Sequence, residues 1–178
     1  EYTLLPPEAL VPKRGAYPGL TDFTGTNAPT SGRRNNRGLE GLGMTPDGRR
    51  LVAALQSPTM QDGGGGNLGR LTRVLQFDVD EASPTFGKVL AEHVYPLTLN
   101  GTAETNRHTP VSEVLALNRD TFLMLERDSL GLGVGTNTAP SYKRIVVTTT
   151  AGATNIANSG FDLERGAPGS RTLPSSQP

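Results

Sequence analysis

The sequence predicts an all-β chain, β-propeller-like, with about two four-stranded antiparallel blades carrying long loop insertions. Three observations lead there. Gly (22) and Pro (14) together fill about one position in five of the 178 residues, so helices are interrupted before they can form a bundle. Apolar residues come in short runs, some with the period-two alternation of a half-buried strand. A strand–turn–strand pattern also recurs, as in a repeat architecture. A propeller closes with roughly four to eight blades, so two blades imply part of a larger propeller. A sandwich of two similar hairpins is the alternative all-β architecture.

Residues 1–38 read as an extended, Pro-punctuated lead-in, with strand character only at Tyr2–Leu5 and Leu20–Phe23. The first blade-like repeat spans 39–110. Gly38–Met44 is a short apolar run, and Thr45-Pro46-Asp47-Gly48 is a turn, with Pro preset for its second position and Gly closing it. Arg50–Gln56 completes the hairpin. Gln61–Gly69, with four consecutive glycines, reads as a flexible loop. In Arg70–Val79, Leu71, Arg73, Leu75 and Phe77 alternate with Thr72, Val74, Gln76 and Asp78, and Lys88–Leu97 supplies a fourth strand. Asn100–Pro110 is a polar loop.

The second, incomplete repeat spans 111–165. Val111–Leu117, the turn Asn118–Asp120 and the strand Thr121–Arg127 repeat the hairpin. A Gly/Thr/Asn-rich loop, Ser129–Ser141, then leads to the β-branched strand Tyr142–Thr149. Glu40 and Glu113 match when the two units are laid on each other, 73 residues apart. Residues 166–178 read as a flexible tail.

Zero formal charge and a pI near 7.0 give no electrostatic case for nucleic acid or an anionic membrane. No apolar run is long enough to span a bilayer. The absence of Cys excludes disulfides, thiolate metal sites and a Cys nucleophile. The chain opens at Glu1 without a charged-then-apolar leader, so a processed protein or an internal piece of a longer one is expected.

Glu40 and Glu113 are the sharpest chemical candidates. By strand alternation Glu40 shares a face with Leu42 and Met44, and Glu113 with Leu115 and Leu117. A carboxylate on an apolar face needs a partner or a cation, and at a propeller mouth a hard-cation site of oxygen ligands fits. The competing structural reading has each glutamate accept backbone N–H groups of a neighbouring blade, or pair with Arg37 or Arg127. Glu126-Arg127-Asp128 ends a strand, a common place for ligand groups, though the sequence favours a solvated, salt-bridged rim there. Arg107 and His108 could meet a phosphate, against a plain loop. His93 reads as a packed strand residue. No Gly-x-Ser-x-Gly elbow is present, and Gln61-Asp62 with its glycines lacks the Lys-Ser/Thr ending and following helix of a phosphate loop.

Several stretches, in order, are similar to a known family. They are Asn36–Leu42, Thr45–Gly48, Ala53–Pro58, Arg73–Asp78, Tyr95–Leu97, Val111–Leu117, Phe122–Asp128 and Gly152–Ile156. Together they resemble the bacterial "esterase-like activity of phytase" family across about 36–157, with Gly-Leu-Glu-Gly-Leu and Leu-Glu-Arg-Asp the most specific segments. The resemblance implies a propeller-like fold, a secreted or periplasmic bacterial setting and ester or phosphoester hydrolysis. Calcium enters by analogy with propeller phytases. On that reading Glu40 and Glu113 hold the metal, while Glu126, Arg127 and His108 are catalytic candidates. Arg37 and Arg107 are the substrate-binding candidates. The rival reading is a non-catalytic interaction module within a larger assembly. In either case the rest of a longer polypeptide, or another chain, is expected to cover the blade edges.

Overall fold

The computed structural model describes residues 3–12, 29, 31–63, 69–100, 107–128 and 142–160. They form two antiparallel sheets and almost no helix. The first sheet holds β1 (Leu39–Met44), β2 (Arg50–Leu55), β3 (Leu71–Asp78) and β4 (Val89–Pro96), in that spatial order. A small ladder follows, β5 (Leu99–Asn100) with β6 (Arg107–His108). The second sheet holds β7 (Val111–Ala116), β8 (Thr121–Arg127) and β9 (Lys143–Thr149).

The β1–β2 turn forms where the sequence places it. Gly48 adopts φ +70°, a region open to glycine at no steric cost, and donates its N–H to the Thr45 carbonyl at 2.8 Å. Asp47 accepts the Thr45 hydroxyl (2.6 Å) and the Arg49 N–H (3.1 Å), and these bonds, the hydroxyl first, hold its carboxyl below the usual range.

The structure departs from the sequence reading at four places. Thr3–Leu5 is not a strand, and the segment continues through Pro6-Pro7 into a 3-10 turn, Glu8–Leu10. Gln61–Gly63, expected in the glycine-rich loop, belong to one helical turn, Met60–Gly63, with the Asp62 N–H bonded to Thr59 Oγ1 at 3.2 Å. The polar loop 100–110 contains the β5–β6 ladder. The second sheet has three strands among the described residues, as the incomplete repeat leads one to expect. Beyond β9 the chain returns to the outer edge of β4, where the Ile156 N–H donates to the Glu92 carbonyl at 2.8 Å and Asn155 Oδ1 accepts the Glu92 N–H at 3.0 Å. That return covers an otherwise open sheet edge. The expected strand at Leu20–Phe23, the loop Ser129–Ser141 and the tail Gly166–Pro178 lie outside the described residues.

Two apolar layers hold the molecule together. Between the sheets, Val52, Ala54, Val74 and Tyr95 pack on Val111, Val114, Ala116, Phe122 and Met124. On the outer face of the first sheet, Ala53, Leu55, Leu75 and Phe77 are covered by Leu4, Ala9 and Leu10 of the lead-in. Arg73 lies on that outer face too, completely buried, paired with Asp62 at 2.8 Å and with Glu92. Burial alone would lower the Arg73 pKa, but the two carboxylates outweigh it and raise the value.

The two hairpins share their framing hydrogen bonds. The Gln56 N–H reaches the Gly38 carbonyl at 2.9 Å, as the Arg127 N–H reaches that of Pro110 at 3.0 Å. Thr45 N–H to Arg50 O (2.9 Å) recurs as Leu117 N–H to Thr121 O (2.9 Å), and Val79 N–H to Arg49 O (3.0 Å) as Thr150 N–H to Asp120 O (2.8 Å). Both first strands carry a bulge, between Leu39 and Gly41 in one and between Val111 and Glu113 in the other. This register corrects the glutamate-to-glutamate match by one residue. Ser112 stands in the place of Glu40, and Glu113 in the place of Gly41.

The slip decides which faces meet. Gly41, Gly43, Val52 and Ala54 face the second sheet, whereas their ladder equivalents, Glu113, Leu115, Leu123 and Leu125, lie on the face turned away from the first. The sheets therefore stack head-to-tail rather than as a self-complementary pair. Contact along the inner strands is close: a Cβ on Gly41 would lie 2.9 Å from the Glu113 carbonyl carbon, and one on Gly43 2.7 Å from the Val114 oxygen.

Gly41→Ala and Gly43→Ala are each expected to destabilise the chain by about 1–3 kcal/mol through overpacking. Gly160→Ala, where the added Cβ meets open space, should stay within about 0.5 kcal/mol. Urea midpoints measure all three, and equal midpoints would contradict the close packing of β1 on β7.

Candidate functional site

The sheets diverge away from their inner strands and leave a cleft of about 480 Å³ between β4 and the β8–β9 pair, lined by His93, Tyr95, Thr98, Phe122, Glu126 and Val146 among others. Glu126 reaches it because β8 alternates. Phe122, Met124 and Glu126 face the first sheet, while Arg127 projects outward and is exposed.

Glu126 is completely buried. Its Oε1 accepts the Tyr95 hydroxyl at 2.6 Å. Its Oε2 accepts the Thr109 hydroxyl at 2.8 Å, the Thr98 N–H at 3.3 Å and, at 3.5 Å, the Tyr142 hydroxyl. The carboxylate thus ties β4, β8, the start of β9 and the base of the 98–109 loop together. Burial, and then the Glu126 carboxylate, push the Tyr95 phenol upward, so it remains a donor throughout the ordinary pH range. A carboxylate with both oxygens taken by donors is well suited to holding charge in a dry place. It has little free acceptor capacity to take a proton from a substrate.

His93 lines the same cleft from β4. Its Nδ1 stands 3.1 Å from the Thr154 carbonyl, which can only accept, so Nδ1 carries the hydrogen and Nε2 the lone pair in the neutral ring. Burial lowers the His93 pKa against the opposing pull of that carbonyl and of Asp120, and the ring is neutral at pH 7.

The other candidates do not converge on Glu126. Arg37 donates to Gln56 Oε1 at 3.3 Å, and Arg127 to the Asp128 carbonyl at 3.4 Å. Glu40 and Glu113 are exposed, as are Leu42 (59%) and Met44 (49%), so the face expected to be buried with Glu40 is open and the glycine face is the buried one. Glu113 Oε1 accepts the N–H of Val114 at 3.1 Å and, across the sheets, that of Leu42 at 3.4 Å. The backbone of Arg107 and His108 lies in β6, immediately before Thr109, and their side chains lie outside the described residues. The sequence reading missed Tyr95, Thr109, Tyr142 and the cleft position of His93. A buried Glu needs donors, but nothing in the sequence says which.

A family model described as phytase-like, esterase-like activity of phytase, matches residues 5–173. The chain belongs to this phytase-like family. It is also 31% identical over 143 residues to an uncharacterized secreted protein of the fungus Arthroderma benhamiae, a match covering 70% of this chain and 27% of that relative. The chain thus spans about a quarter of the length of the curated relative it matches. No solved structure matches it.

The calcium expected from the resemblance asks for six to eight oxygen ligands. Among the described residues no three His, Cys, Asp or Glu side chains gather as a metal-binding group, and one oxygen of Glu113 already accepts backbone N–H groups.

Glu126→Gln turns an NH₂ group toward donors and should cost about 1–3 kcal/mol, as when a buried hydrogen-bonding group loses its partner. The urea midpoint reads this, and an unchanged midpoint would contradict the buried network. His93 sets a pH dependence. Its folded pKa lies below the unfolded value of about 6.5, so the unfolded chain binds the extra proton as pH falls. The His93 contribution is complete above about pH 6.5 and is lost as pH falls toward the lowered folded pKa. His93→Gln should flatten the stability profile between about pH 7 and 5, and an unchanged slope would refute the burial of a neutral ring.

Proposed function

We propose that this chain is part of a secreted ester- or phosphoester-hydrolysing protein whose stacked sheets belong to a β-propeller. The observation that carries the activity is the phytase-like family match across 5–173. Head-to-tail stacking supports the propeller, because a heterologous interface repeated by rotation closes into a ring. The secreted fungal relative supports export, and a bacterial periplasmic setting remains part of the proposal from the resemblance. Among the described residues no helix is long and apolar enough to cross a membrane.

Within this reading Glu126 positions rather than reacts. It anchors Thr98 and Thr109, the residues that flank the strands presenting Arg107 and His108. Arg107 then offers a phosphoryl or acyl oxygen a planar fork of donors, and His108 serves as the acid or base. Arg127, exposed at the end of β8, and Arg37 are further anion-steering candidates. No step is routed through calcium.

A second reading is a non-catalytic module. The spread of the nominated residues favours it: Glu126 is saturated by donors, and Glu40, Arg37 and Arg127 make no contact with it.

Turnover of p-nitrophenyl phosphate and p-nitrophenyl acetate by the native-length polypeptide separates the two. The enzyme reading expects His108→Ala and Arg107→Ala each to lower kcat/KM at least about ten-fold, which is ~1.4 kcal/mol of transition-state stabilisation. Neither variant should shift the thermal midpoint. No turnover of either ester supports the interaction module. A parallel assay with a chelator tests calcium: loss of turnover that calcium restores supports metal assistance, and full turnover refutes it.

A further inference from the structure

The cleft between β4 and the β8–β9 pair has a composition of its own, set by strand alternation. On β4, His93 and Tyr95 share the face turned to the second sheet. On β9, Val146 and Thr148 stand beside Met124 and Phe122 of β8, which pack in the layer between the sheets. Val74, Phe122 and Val146 make much of the wall apolar. Its volume of about 480 Å³ falls within the range of roughly 300–1,000 Å³ usual for small-molecule sites.

Most polar groups of the wall are already committed. The Tyr95 hydroxyl donates to Glu126, and both oxygens of Glu126 accept. Thr150 Oγ1 accepts from Gln76 Nε2 at 3.3 Å. His93 is the exception. It is only 7% exposed, and its Nδ1–H is taken by the Thr154 carbonyl at 3.1 Å. The lone pair on Nε2 meets no donor among the described residues. A buried acceptor without a donor is costly, and the cleft that the ring lines is the space from which a donor can reach it.

Charge narrows the class of donor. Among the described residues no Lys or Arg lines the cleft, and one wall carries the Glu126 carboxylate. An anion would enter a poorly hydrated space with no cation to meet it. A cation fares little better, because the donors around Glu126 already occupy both of its oxygens. A neutral hydroxyl needs one acceptor and brings no charge to desolvate.

We infer that the cleft binds a neutral, largely apolar molecule carrying one hydroxyl group, its body held between β4 and β9 and its O–H donated to His93 Nε2. The site is independent of the ester chemistry proposed above and of how many sheets stack in the whole protein.

Three naphthalenes of similar body test it on the native-length polypeptide at pH 7.5. 2-Naphthol carries the hydroxyl, 2-methoxynaphthalene lacks the donor, and 2-naphthoate carries a negative charge. The described chain has no Trp, so it adds no indole emission to a naphthalene fluorescence titration. The expected result is saturable one-to-one binding of 2-naphthol, at least about five-fold tighter than 2-methoxynaphthalene, the worth of one hydrogen bond. 2-Naphthoate should bind more weakly than either. Val146→Phe, which fills the cleft from the half-buried side of β9, should weaken 2-naphthol at least ten-fold. His93→Leu should make 2-naphthol and 2-methoxynaphthalene equal. Should that variant not fold, the comparison of the three compounds on the unaltered polypeptide decides alone. Absence of saturable 2-naphthol binding overturns the inference, as does equal affinity for the methoxy compound, tighter binding of the carboxylate, or a folded Val146→Phe variant that binds undiminished. No readout depends on ester turnover, so failure here is distinguishable from failure of the hydrolase reading.

Discussion

The inner strands β1 and β7 meet backbone to backbone, and most of the arrangement depends on that contact. Gly41 and Gly43 permit it because no Cβ stands between the strands. With the inner strands in contact and the normal right-handed twist of each sheet, the outer strands diverge. Apolar side chains fill the space near the inner strands, and a cleft opens between β4 and the β8–β9 pair. The cleft is a geometric consequence of the close approach at the other end.

Polar groups in that divergent region then have to be satisfied. Glu126 occupies the position held in the first hairpin by Leu55, which is buried under the lead-in. Placing a carboxylate there is costly unless donors surround it, and the chain supplies them from Tyr95, Thr98, Thr109 and Tyr142. Arg73 shows the same logic with the opposite sign, a buried guanidinium held between Asp62 and Glu92. Each network binds together segments far apart in sequence. Such networks are poor sources of net stability and costly to break.

Strands and turns were legible because they are local. The alternation of Leu71, Arg73, Leu75 and Phe77 and the Pro-Asp-Gly turn each carry their own signal, and the observed strands of the two sheets, though not the short β5–β6 ladder, fall within a residue or two of the expected ones. Arg73 among three apolar residues of one face was itself a sign of a buried ion pair that the sequence reading passed over. The partners of Glu126 were not legible, because Tyr95 lies 31 residues away and Tyr142 16, and no periodicity links them. The return of residues 154–156 to the edge of β4 is likewise a tertiary event. Local propensity gives no sign of it.

The one-residue slip between the two glutamates is the most instructive difference. Matching them by identity made them one repeated position, facing one mouth and able to share one ion. In the ladders the bulge puts Ser112 where Glu40 stands and moves Glu113 one place on. In a pleated strand a single residue exchanges the two faces, so the two carboxylates are not equivalent ligands. Glu113 instead occupies the place of a glycine. There it accepts the N–H of its own Val114 and that of Leu42 from the sheet before. An acid in this position serves the seam between sheets.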